Sequence, residues 1–135
     1  MRNSKSKMFL IGLLVLSTCC FAFACRSKQK TIDADKSYDG RTLTLRVSDG
    51  VNLSLAENPT TGYRWEFLAR PEPVCVVVSD AYIANARGAI GGGGAHTWEL
   101  RAVDKGTATV SLGYRRPWEK DVAPAQKFAM TIEVK

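Results

Sequence analysis

The chain has 135 residues, 45% hydrophobic and 24% charged, with a formal net charge of +6. That is one domain of ordinary globular composition, large enough to bury a core without disulfides or metal. The single histidine, His96, excludes a histidine-rich metal site, and any His-dependent catalytic dyad would have to use it. Three basic residues, Arg2, Lys5 and Lys7, fall in the first 24 positions, which hold no acid. Sixteen basic residues then face thirteen acidic ones, and +3 is too small an excess to argue for a nucleic-acid partner.

Residues 8–24 (MFLIGLLVLSTCCFAFA) carry no charge and end in Ala22-Phe23-Ala24 before Cys25. A basic start, an apolar middle and small residues at positions −3 and −1 of a cut are the layout of a secretory signal. A small residue directly before a Cys also resembles a bacterial lipobox, in which the Cys is lipidated after cleavage. Leu16-Ser17-Thr18-Cys19 is a poorer match. The expectation is a signal over 1–24, export to a periplasmic or extracellular location, and Cys25 as a lipidation candidate anchoring the protein to a membrane. A retained membrane helix is the competing reading, at the lower limit of spanning length. Residues 25–40 are polar and aperiodic, and read as a tether.

From Arg41 the apolar residues recur with period two, the signature of half-buried strands. Leu43, Leu45 and Val47 form the first set, Val51, Leu53 and Leu55 the second, and Tyr63, Trp65 and Phe67 the third. Residues 74–79 form a more continuously apolar run and read as a buried strand containing Cys75. Trp98, Leu100 and Ala102 follow, then Ala108, Val110, Leu112 and Tyr114, and finally Phe128, Met130, Ile132 and Val134. Seven short strands and no helix predict an all-β, Ig-like sandwich over residues 41–135. Ser48-Asp49-Gly50 and Asp104-Lys105-Gly106 read as tight turns with Gly supplying the positive φ. In an antiparallel succession alternate connections share an end, so residues 57–62, 80–94 and 116–125 should lie together, opposite the tight turns.

Those three connections hold the unusual chemistry. Asn58-Pro59-Thr60-Thr61-Gly62-Tyr63 sets two hydroxyls between a fixed φ and a permissive one; the plain alternative is a polar turn. Residues 88–95 include Gly91-Gly92-Gly93-Gly94, which lack the Lys and following helix of a phosphate loop. They either let the backbone approach another surface or act as a flexible linker. Residues 115–119 carry Arg116-Pro117-Trp118, where a Trp beside Arg reads as an interface anchor or as a ring folded onto the sandwich. Catalysis would need Cys75 and His96 to meet, and a Cys in an apolar strand is a poor nucleophile.

The ordered set Asn58-Pro59-Thr60-Thr61-Gly62-Tyr63, Gly91–Gly94 and Arg116-Pro117-Trp118 resembles the chagasin-type inhibitors of papain-like cysteine peptidases. The resemblance spans about residues 41–135. It implies an Ig-like sandwich and a reversible, tight-binding, non-enzymatic inhibitor that needs no cofactor or metal. It also implies that the first loop enters the peptidase cleft with Thr61 near the catalytic Cys. The Gly-rich loop would then pair main chain with the substrate-binding region, and the Arg-Pro-Trp loop would pack on the primed side. An exported adhesion or carbohydrate-binding module using the same loop surface is the alternative.

Overall fold

The computed structural model describes residues 28–86 and 91–135; the expected signal and Cys25 lie outside them. Among the described residues there are eight strands in two four-stranded sheets, one more strand than expected. One sheet runs in the order β1-β3-β6-β5, from Thr31–Ala34, Gly50–Glu57, Gly94–Ala102 and Cys75–Ala84. The other runs β2-β8-β7-β4, from Thr42–Leu45, Gln126–Val134, Gly106–Arg115 and Arg64–Ala69. The predicted alternation decides which side chains meet between the sheets. Val51, Leu53, Leu55, Trp98 and Leu100 of the first sheet are buried against Val110, Leu112, Phe128, Met130 and Ile132 of the second. Burying a side chain of this size is worth about 1.5–3 kcal/mol, so this layer is the main support of the fold.

The added strand corrects the expected tether, which extends no further than the start of β1. Thr31–Ala34 pairs parallel with the start of β3, placing Ile32 against the core and Ala34 within it. Two apolar residues in a polar stretch are too few to read as periodicity; the pairing is made by backbone and by Asp49. The Asp49 carboxylate accepts from the Lys30 and Arg46 amides, each at 3.0 Å. It therefore closes the β2–β3 turn and holds β1 beside it. Positive φ in that turn falls on Ser48 (79°), not on Gly50, which already begins β3. Gly106 does supply the positive φ of the other turn, at 144°.

Residues 74–79 are a second correction. β5 is an edge strand in which Cys75 is buried but Val78 is 50% exposed. The ladder to β6 shifts register between Val77 and Ser79, so Val78 bulges outward and the strand continues to Ala84. The connection expected over residues 80–94 thus begins at Asn85 instead of Asp80.

The Asp49 carboxyl is held below the usual aspartate range by the Arg46 amide first and the Lys30 amide second. A lowered carboxyl stabilises the fold fully above its ordinary value, about 3.9, and loses that contribution as pH falls through the lowered one. Asp49→Ala should cost on the order of 2 kcal/mol at neutral pH, because bonds to charged acceptors exceed neutral ones. Asp49→Asn should flatten the loss of melting temperature between pH 4 and pH 2; an acid slope unchanged from wild type would count against this role.

Candidate functional site

The expected grouping of loops is borne out by direct contacts: the β3–β4, β5–β6 and β7–β8 connections meet at one end. The first is the most ordered. Asn58 caps a single 3-10 turn, Pro59–Thr61, with Pro59 at its first position. The Asn58 Oδ1 accepts from the Thr60 hydroxyl at 2.7 Å and the Thr60 amide at 3.3 Å. The Asn58 carbonyl accepts from the Thr61 hydroxyl at 2.7 Å and the Thr61 amide at 3.2 Å. Gly62 ends the turn at φ 81°, a left-handed conformation that costs other residues energy, and its amide donates to the Pro59 carbonyl at 2.9 Å.

The third loop is braced against the first. Arg116 lies over the Tyr63 ring at 4.8 Å, its Nε donates to the Thr61 carbonyl at 3.3 Å, and its Nη1 pairs with Glu119. Tyr63 stacks on Tyr114 at 5.4 Å, and Tyr114 packs on Trp65 at 5.0 Å, so an aromatic column carries the loop into the core. Trp118 is 67% exposed, not folded into the sandwich. Its indole edge lies over Gly62, where a Cβ would come within 2.6 Å of it. The open cleft between these loops is lined by Pro59, Thr61, Gly62, Arg64, Arg116 and Trp118.

The glycine run divides. Arg87–Ile90 lie outside the described residues. Gly91 and Gly92 are exposed, and the Gly91 carbonyl accepts from Asn58 Nδ2 at 3.1 Å. Gly93 and Gly94 serve the fold. A Cβ on Gly93 would lie 2.9 Å from the Glu57 carbonyl, and one on Gly94 would overlap the Ile83 carbonyl. The close approach expected of these two glycines is to the protein's own β3 and β5.

Beneath the loops is a group the sequence reading passed over. The buried Glu57 carboxylate accepts from the Trp65 amide at 2.8 Å and faces His96 Nδ1 at 3.1 Å. The other ring nitrogen faces Asp80 Oδ1 at 2.6 Å. A signal for this was present: Glu57 continues the inward phase of Val51, Leu53 and Leu55, and His96 that of Trp98 and Leu100. His96 and Cys75 do not meet. Cys75 pairs with Ala102, six residues along β6 from His96, or about 20 Å at strand rise. Burial first, and then the Glu72 charge, push the Cys75 thiol up, away from thiolate. Among the described residues no group of three or more His, Cys, Asp or Glu side chains could hold a metal ion.

Three cross-braced loops thus meet at one end of the sandwich, and one bears an exposed Trp, a residue type enriched at protein interfaces. Residues 44–132 match the profile of the chagasin family of peptidase inhibitors, I42, and the chain belongs to that family. Chagasin of Trypanosoma cruzi is 29% identical over 102 residues, covering 73% of this chain and 93% of its own. Amoebiasin-2 of Entamoeba histolytica is 29% identical over 118 residues, covering 85% and 95%. The crystal structure of a cysteine protease inhibitor from Entamoeba histolytica is 25% identical with a TM-score of 0.69, covering 80% of this chain and 98% of that one. The family consists of cysteine-peptidase inhibitors, so this chain is an inhibitor and not an enzyme, and the adhesion or carbohydrate-binding alternative has no support.

Two substitutions separate surface from scaffold. Trp118→Ala should leave the melting temperature within about 2 °C of wild type, since an exposed ring contributes little to folding. Gly62→Val should lower stability by about 1–3 kcal/mol, because a β-branched residue is forced into left-handed backbone. A large stability loss in Trp118→Ala would make Trp118 part of the core.

Proposed function

We propose that this protein inhibits papain-like cysteine peptidases reversibly, by seating Asn58–Tyr63, Gly91–Gly94 and Arg116–Trp118 in and beside the active-site cleft. The observation that carries this reading is the state of three carbonyls of the first loop. A cysteine peptidase attacks an extended chain whose carbonyl meets the thiolate at near-attack distance and alignment. Here the Asn58 carbonyl is taken by Thr61, the Pro59 carbonyl by Gly62 and the Thr61 carbonyl by Arg116. A turn closed on itself in this way fills a cleft without presenting a scissile bond in reacting geometry.

The same bonds support tight binding. Loops already ordered by Asn58, Gly62 and Arg116 lose little conformational freedom on association, so more of the contact energy appears as affinity. Trp118 offers the largest exposed apolar surface among the described residues of the three loops and acts as the anchor. Gly91 and Gly92 present main chain unshielded by side chains. Gly93 contributes by letting the hairpin approach β3, and Gly94 by letting β6 close on β5.

The layout of residues 1–24 supports export, and Ala24-Cys25 supports a lipid on Cys25 that tethers the inhibitor at a membrane. Intact mass of the mature protein separates a diacylated Cys25 from an unmodified N-terminus.

Titration of papain with the purified protein should give stoichiometric loss of activity, with the inhibitor recovered uncleaved. Trp118→Ala should weaken inhibition by about 2–4 kcal/mol, the scale of an interface hot spot. A folded protein that leaves papain fully active at micromolar concentration, or that is cut within Asn58–Tyr63, contradicts the proposal.

A further inference from the structure

A polar cluster lies under the loops, formed by Glu57, His96 and Asp80. Glu57 ends β3 and its side chain is only 2% exposed, so its charge requires a partner. The bulge at Val78 places Asp80 opposite Trp98, on the sheet face that carries His96. The His96 ring, stacked on Trp98 at 4.3 Å, lies between the two carboxylates, with a nitrogen on each. Ionised carboxylates only accept, and a neutral imidazole has one N–H to give. With both carboxylates ionised, both contacts are hydrogen bonds only when the ring carries two protons; with one, an acceptor faces an acceptor.

We infer that Glu57, a doubly protonated His96 and Asp80 form a charged clamp across β3, β6 and β5 that positions the first and second loops. Glu57 precedes Asn58 directly, and its carboxylate also holds the Trp65 amide, so it pinches the first loop shut at its base. Asp80 and Tyr82, the latter paired with His96 in the ladder, belong to the strand that leads into the second loop. From β4, Arg64 and Glu66 line, with Glu57 and His96, a second cleft of about 420 Å³, and Glu66 is bound to Arg115 at 2.8 Å. The cleft gives solvent a route to the ring. Removing one ring proton leaves an acceptor facing an acceptor and opens one side of the clamp. His96 is thus a positioning residue, and the loops are held best while its ring carries both protons.

The test reads the free protein first. At pH 5.5 the ¹⁵N resonances of His96 should show both ring nitrogens protonated. Protection of the Trp65 and Gly62 amides, corrected for intrinsic exchange, should fall at least ten-fold between pH 5.5 and pH 8.5. His96→Phe keeps the stack on Trp98, removes both nitrogens, and should show the low protection at both pH values. Because that variant strands a buried carboxylate, Asp80→Asn is the second: its side chain is 46% exposed, and it should lose protection about five-fold at pH 5.5 without unfolding. An unprotonated ring nitrogen at pH 5.5, pH-independent protection, or wild-type protection in Asp80→Asn overturns the clamp. Affinity for papain should follow loop protection across these variants, a readout that rests on the proposed function. If wild type does not inhibit papain, that function fails while the exchange data still judge the clamp.

Discussion

Every group of Asn58 that can form a hydrogen bond does so, and the order of the loop end depends on it. Its amide donates to the Tyr114 hydroxyl at 3.1 Å, fixing the loop to the opposite sheet. Its side-chain oxygen and its carbonyl hold Thr60 and Thr61, and its side-chain nitrogen reaches Gly91 in the neighbouring loop. One residue therefore shapes the first loop, joins it to the second and seats both on the core. Arg116 closes the ring of contacts by joining the third loop to the Thr61 carbonyl and the Tyr63 face. The loops behave as one edge because their polar groups are spent on one another.

This arrangement follows from the sandwich beneath. Alternating apolar residues place Trp65, Tyr114 and Leu55 at the loop end of the core, and the Trp65 indole N–H donates to the Ala56 carbonyl at 2.9 Å. The strand ends are pinned within a residue or two of the loops they carry. Pre-organisation is then a consequence of packing, and no disulfide is needed: the one cysteine among the described residues, Cys75, is free and buried.

The seven principal strands, the end they share and the three loops were legible because they rest on period-two alternation, turn residues and parity. What escaped notice depends on pairing between distant segments. β1 holds two apolar residues, and its place is set by the Lys30 amide on Asp49 and by the ladder to β3. The edge position of β5 was invisible in Val74–Val78, since a run of valines reads alike in a central strand and a bulged edge. Glu57 and His96 were readable as an acid and a base in inward phase on two strands. Their meeting with Asp80 was not, because it takes the register shift at Val78 to turn Asp80 inward. The division of the glycines into two exposed and two packed could come only from seeing what each Cβ would strike.

The central claim is that the three loops are formed before they meet a peptidase. A crystal structure of this protein bound to papain with its catalytic thiol blocked tests it most directly. The account predicts that the backbone of Asn58–Tyr63 and Arg116–Trp118 superposes on the free protein within about 1 Å, as in other pre-organised complexes, with Thr61 beside the blocked thiol. Loops rearranged by more than about 2 Å, or contact through the end that carries Ser48–Gly50 and Asp104–Gly106, would contradict it.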